Sequence, residues 1–63
     1  MKLLTVRELS LETGLSRSRI YRLVKNRRIP FIRLDVRKRN SKLFFAREKI
    51  NIWLETLVQE PNE

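Results

Sequence analysis

The most concentrated chemistry in this sequence belongs to arginine side chains. Nine arginines and three lysines fall between residues 16 and 47, where Asp35 is the only acidic residue, whereas residues 1–15 are neutral and residues 48–63 are acidic. Guanidinium groups form paired hydrogen bonds with phosphate oxygens and with the exposed edge of guanine. A solvated surface also tolerates such charges, but a polyanionic partner better explains why one central segment holds the whole positive excess. We therefore expect a nucleic acid as the binding partner.

The sequence lacks the residue types on which most catalytic and metal chemistry depends. It contains neither cysteine nor histidine, which removes disulfides, Cys/His zinc sites, thiol nucleophiles and imidazole bases. Glu8 and Glu12 form the best-spaced carboxylate pair, but their positions are typical of capping and of a surface. A chain of 63 residues leaves little room for both a core and a closed pocket. We expect no enzyme activity, no cofactor, no metal and no small-molecule substrate.

The same size predicts a single domain over residues 1–63, with its core in residues 4–58 and a frayed tail at residues 59–63. The N-terminus has no signal-peptide pattern. The longest apolar run is residues 43–46, far too short to span a membrane. We expect no membrane partner and a cytoplasmic location.

Two helices are predicted at the start of the chain. Thr5 and Glu8 have the spacing of a capping box, which begins a helix over residues 6–13. Gly14, the only glycine, suits the left-handed stop that ends such a helix.

The second helix begins almost at once. Ser16 is a good N-cap, and Ile20, Leu23 and Val24 form one apolar face. Because only residues 14–16 separate the two helices, the spacing is typical of a helix-turn-helix.

Beyond the second helix the hydrophobic pattern changes. Residues 32–36 alternate apolar and polar as a half-buried strand does, residues 37–41 form a polar tip, and residues 42–45 resume a strand pattern. This predicts a β-hairpin with a basic tip. The helical period then returns in an amphipathic stripe, with Trp53 as a core anchor. The residues of that stripe are Ile50, Trp53, Leu54, Leu57 and Val58.

Residues 4–8 and 14–24 together resemble the opening of the excisionase-family helix-turn-helix domains, which are related to the DNA-binding portion of MerR-type regulators. Residues 27–33 resemble the strand that enters their wing, and Phe45, Ile50 and Trp53 resemble their closing helix. The likeness covers residues 4–55 and implies an α+β fold, a small winged helix-turn-helix. Two features depart from the pattern. Arg28 stands where many relatives have glycine, and the hairpin over residues 35–41 is longer than the usual wing.

Double-stranded DNA is the partner that this order of elements implies, with the second helix in the major groove and the hairpin tip at the minor groove or its phosphates. The recognition-helix candidates are Ser16, Arg17, Ser18, Arg19, Tyr21, Arg22 and Lys25. The wing and phosphate candidates are Arg27, Arg28, Arg33, Arg37, Lys38, Arg39 and Lys42.

The resemblance further implies an excisionase role in a bacterium, phage or mobile element: binding in cooperative arrays with self-association on DNA, bending the DNA and assisting an integrase. A small MerR-like transcription regulator is the alternative. Such a regulator normally carries a further effector or dimerisation segment, and this sequence ends soon after Val58, which favours the excisionase role. An RNA-binding basic protein is a third hypothesis, disfavoured because the phenylalanines and Trp53 fall at core positions.

Overall fold

Helix α1 (Val6–Thr13) has the bounds that its capping residues predict. In this computed structural model, which describes residues 2–34 and 42–61, the Glu8 amide donates to the Thr5 hydroxyl at 3.1 Å and the Thr5 amide donates to the Glu8 carboxylate at 3.0 Å. Gly14 adopts a left-handed φ of 78° and its amide donates to the Ser10 carbonyl. The capping box and the glycine stop are therefore confirmed.

Helix α2 (Arg17–Lys25) follows after a turn that side chains hold in place. The Ser10 hydroxyl donates to the Leu15 carbonyl at 2.7 Å, and the Leu15 amide donates to the Thr13 hydroxyl at 3.2 Å. At the start of α2 the Ser16 hydroxyl accepts from the Arg19 amide at 3.1 Å. The predicted Ser16 N-cap and the two-helix unit are confirmed.

The C-terminal end of α2 is closed by an arginine in a conformation that usually favours glycine. Arg27 has a φ of 54°, its amide donates to the Val24 carbonyl, and the Arg28 amide donates to the Leu23 carbonyl at 2.9 Å. This is the Schellman arrangement, in which the left-handed residue is normally glycine. The left-handed position is thus Arg27, and Arg28, where relatives have glycine, keeps a negative φ.

Three short strands form an antiparallel sheet in which β3 (Leu43–Ala46) is central. β2 (Ile32–Arg33) pairs with β3 as the predicted hairpin does, with Ile32 opposite Phe44. β1 (Leu3–Thr5) pairs with the other side of β3 and was not predicted from the sequence. Leu34, which the alternation placed on the buried face, is 70% exposed. The predicted tip, including Arg37, Lys38 and Arg39, lies outside the described residues.

Helix α3 (Arg47–Leu57) joins the core only through its first half. Ile50 is buried, and the Trp53 indole N–H donates to the Arg28 carbonyl at 2.8 Å. Beyond them, Leu57 is 53% and Val58 62% exposed, although they continue the same apolar stripe. The stripe therefore extends past the body of the domain.

The core lies between the two helices of the helix-turn-helix unit and one face of the sheet. Its fully buried side chains are Leu4, Leu9, Ile20 and Phe45, with Ile29 and Ile50 nearly so. Trp53 and Phe31 pack against its edge. No helix in residues 2–34 or 42–61 is long and apolar enough to cross a membrane. Helix, helix, hairpin and helix around one core confirm the predicted small winged helix-turn-helix.

Candidate nucleic-acid interface

Helix α2 presents polar and basic side chains on the side opposite to its buried face. Ile20 and Val24 are buried. Ser18 and Arg22 each lie two residues from Ile20, which at about 100° per residue places them on the far side of the helix. Both are exposed. This outward face, formed by Ser18 and Arg22, is the part of α2 that is most open to a partner.

The first turn of α2 combines free backbone amides with two arginines. Arg17 and Arg19 are exposed, and the turn contains no acidic residue. A cation in the first turn of a helix is unfavourable by about 0.3–1 kcal/mol because of the partial positive charge of the helix N-terminus. The same arrangement suits a bound anion such as a phosphate.

On its wing side, α2 borders an open groove of about 870 Å³. Arg17, Tyr21 and Lys25, spaced four residues apart, form one wall, and Arg33 of β2 with Lys42 forms the other. The floor is apolar, since Val6, Val24, Leu43 and Phe44 also line the groove. We call this cleft the basic groove. No acidic residue of the described chain lines it.

The structure thus brings Arg17, Tyr21, Lys25, Arg33 and Lys42, all predicted from the sequence, around a single cleft. Tyr21 is 53% exposed among the described residues, so its side chain is accessible from the groove.

Other predicted residues lie elsewhere. Arg19 and Arg22 are exposed on α2 away from the basic groove. Arg27 and Arg28 are exposed in the turn that follows α2, where the Arg28 carbonyl holds Trp53. Arg37, Lys38 and Arg39 fall in the part of the chain that the structure does not describe.

Arg7 is a residue of the basic groove that the sequence analysis missed. It lies in the first turn of α1 and lines the groove together with Thr5 and Val6. The charge count by segment grouped it with the neutral residues 1–15. A local signal was present, because a cation is unfavourable in the first turn of a helix. An arginine at such a position is stabilised when it binds an anionic group.

Two carboxylates of α1 have partners among the described residues. Arg47 forms an ion pair with Glu12. Glu8 has a pKa lowered from 4.5, first because the Thr5 backbone amide donates to its carboxylate, then through the Thr5 side chain and the nearby charges of Lys2 and Arg47. No group of acidic residues in the described ranges could hold a metal ion. No described carboxylate lines the groove, and Arg7, Arg17, Lys25 and Lys42 form no hydrogen bond or ion pair with the described residues.

Comparison with known proteins gave one match. A family model described as a helix-turn-helix domain matches residues 3–57. The match to this family supports DNA binding. The family includes excisionase-like DNA-binding domains, and its members are typically non-enzymatic. Neither a curated protein nor a solved structure matched this chain.

Proposed function

This chain belongs to the helix-turn-helix domain family, and we propose that it binds double-stranded DNA sequence-specifically with α2 in the major groove. The observation that carries this proposal is the exposed surface of α2 from its first turn to Lys25, which is polar and basic and contains no acidic residue. Recognition helices of this class place their N-terminal residues against base edges. A helix in the major groove must present its exposed face to the bases, and in α2 that face is polar and basic.

Roles within α2 follow from position. Arg17 and Ser18 are assigned to base contacts, because they occupy the N-terminal turn. Arg19 and Arg22 are shared between bases and phosphates. The Ser16 cap, with its free amides, holds a phosphate, and Tyr21 offers its hydroxyl to another.

The remaining basic residues position the domain on the duplex without selecting its sequence. Arg37, Lys38 and Arg39, predicted from the sequence to form the hairpin tip, are assigned to the adjacent minor groove or its phosphates. The residues assigned to backbone phosphates are Lys25, Arg27, Arg28, Arg33 and Lys42. With about six phosphate contacts, the logarithm of the binding constant should fall with the logarithm of salt concentration at a slope of roughly −5.

We further propose that this DNA contact serves an excisionase-like role, in which several copies bind side by side, bend the DNA and assist an integrase. A single module buries only about 600–1,000 Å² on DNA, so that tight binding calls for neighbouring copies. The exposed end of the α3 stripe, at Leu54, Leu57 and Val58, is a surface on which a second copy or an integrase would pack.

A small MerR-like transcription regulator is the second candidate, and the same exposed stripe supports it, because a symmetric dimer would bury that surface. The two roles predict different DNA sites. An excisionase-like protein should protect several phased sites and bend the DNA between them, whereas a regulator should protect one palindromic site.

Selection of bound duplexes from a randomised pool, followed by footprinting and a bending assay on the selected sites, tests the proposal. Arg17→Ala should relax the selected sequence, whereas Lys38→Ala should weaken binding to all duplexes about equally. Failure to enrich any sequence would contradict sequence-specific binding. A single palindromic site without bending would reject the excisionase-like role, and unchanged affinity and preference in Arg17→Ala would show that α2 is misplaced.

A further inference from the structure

The basic groove has a cationic rim and an apolar floor. Cationic side chains of α1, α2 and the hairpin stand along its rim, and its floor is formed by apolar side chains, among them the buried Val6 and Val24. A free phosphate ion would use only the rim. A strand of nucleic acid, in which apolar deoxyribose rings alternate with phosphates, would use both the rim and the floor.

Four cations of the rim have no bonded partner in the described part of the chain. The side chains of Arg7, Arg17, Lys25 and Lys42 form no hydrogen bond or ion pair with any described residue. By contrast, Arg47, outside the groove, is paired with Glu12. Unpaired like charges around one cleft repel each other, and a bound polyanion removes that repulsion.

We propose that the basic groove holds the sugar–phosphate backbone of one strand of a DNA duplex, and that Arg7 of α1 is one of its phosphate contacts. This inference rests on the proposed function and adds to it a contact outside the recognition helix and the wing. When α2 lies in the major groove of the DNA, the DNA strand at the edge of the major groove passes between α2 and the hairpin, through the basic groove of the protein. Arg7 and Arg17, each in the first turn of its helix and each lining the basic groove, contact this strand.

Arg7→Ala tests the proposal against a closely matched control. Lys49→Ala also removes one positive charge from an exposed position in the first turn of a helix, but Lys49 does not line the groove. Both variants remove an unfavourable charge from a helix N-terminus and are therefore expected to fold. Circular dichroism spectra that match the wild type verify this.

The measurement is fluorescence anisotropy with a short duplex of mixed sequence, titrated at several salt concentrations. One phosphate contact contributes about 0.9 to the salt slope, which corresponds to about an eightfold change in affinity at about 0.1 M monovalent salt. We expect the salt slope of Arg7→Ala to be weaker by about 0.9 and its affinity to be about eightfold lower than in the wild type. Lys49→Ala should keep the wild-type slope and affinity. On a duplex selected from a random pool, Arg7→Ala should leave the preference over mixed sequence unchanged.

The outcomes separate the two proposals. If the wild type binds duplex DNA and Arg7→Ala behaves like Lys49→Ala, the Arg7 contact is wrong while the proposed function stands. If the wild type shows no salt-dependent binding to any duplex, the proposed function itself is wrong. Tighter binding to the isolated single strand than to the duplex would overturn the assignment of the groove to one strand of a duplex, and would point to stacking on Tyr21 instead.

Discussion

Replacing Arg19 by glutamate would give α2 the capping box that α1 already has. In α1 the Glu8 carboxylate accepts from the amide of the N-cap residue Thr5 at 3.0 Å. Arg19 occupies the equivalent position after the N-cap Ser16, and its amide already donates to the Ser16 hydroxyl. In the described chain, no residue accepts a hydrogen bond from the Ser16 amide. A carboxylate at position 19 would supply that acceptor.

The size of the effect can be worked out from these contacts. An exposed hydrogen bond of this kind stabilises a protein by about 0.5–1.5 kcal/mol. Replacing a cation by an anion in the first turn adds about 0.3–1 kcal/mol for each charge that changes. Because Arg19 is exposed, the low end of each range applies, and we expect a total near 1 kcal/mol. For a domain of this size that raises the Tm by about 4–8 °C.

DNA binding should change in the opposite direction. Arg19→Glu loses one cationic contact and places a negative charge beside the phosphates, so that the affinity for any duplex should fall at least about tenfold and the salt slope should weaken by about 1. Thermal unfolding and duplex anisotropy, measured on the same preparation, give both quantities. Arg19→Gln is the matched control, because glutamine can complete the capping box without a negative charge. It should gain less stability and lose less affinity.

Two results would refute the reasoning. A lower Tm in Arg19→Glu would mean that the first turn of α2 does not have the capping geometry described here. A higher Tm with unchanged DNA affinity would mean that Arg19 does not face DNA, and that the α2 surface used for binding lies elsewhere.

Three further predictions concern local contacts. Glu8→Gln should remove a pH-dependent part of the stability. The ionised Glu8 carboxylate stabilises the fold at pH values above its ordinary pKa of 4.5, and this contribution is lost as the pH falls through the lowered pKa of the folded state. The difference in free energy of unfolding between wild type and variant, measured with urea, should therefore shrink in acid, and a constant difference would contradict this. Trp53→Phe should lower the free energy of unfolding by about 1 kcal/mol, because it removes the 2.8 Å hydrogen bond to the Arg28 carbonyl; equal urea midpoints would show that this bond contributes nothing. Arg27→Gly should raise the free energy of unfolding by up to about 1 kcal/mol, because Arg27 has a φ of 54°, a conformation that glycine adopts more easily. The variant should also bind all duplexes more weakly. A lower free energy of unfolding would contradict the argument that Arg27 is strained.

Local signals in the sequence were sufficient for the helix-turn-helix unit. The bounds of α1 follow from Thr5, Glu8 and Gly14, and the start of α2 follows from Ser16, because capping depends on residues three or four positions apart. The strand β1 has no such signal. Its three residues are too few to show alternation, and they become a strand only because β3, some forty residues later in the chain, offers them an edge.

Part of the candidate site could not be predicted, because its residues are far apart in the sequence. Arg7 was grouped with the neutral N-terminal segment, because a charge count by segment cannot show that the first turn of α1 lines the same groove as α2 and β2. The α3 stripe shows the complementary limit. Its periodicity identifies which residues share a face, but not how far the body of the domain extends beneath them, and Leu57 and Val58 are left exposed.

The positions of the arginines relate the candidate site to the stability of the fold. Arg7, Arg17 and Arg19 lie in first turns of helices, where a cation is unfavourable, and Arg27 adopts a backbone conformation that favours glycine. Chance placement would spread arginines over favourable positions such as the last turn of α1, which contains no basic residue. Departures from local structural preferences are expected where a residue serves binding. All four of these arginines lie on or beside α2 and its groove. Arg47 and Lys49 also lie in a first turn, that of α3, outside the groove, so an unfavourable position alone does not identify the DNA-facing side. Arg47 is paired with Glu12, whereas Arg7 and Arg17 form no ion pair with the described residues.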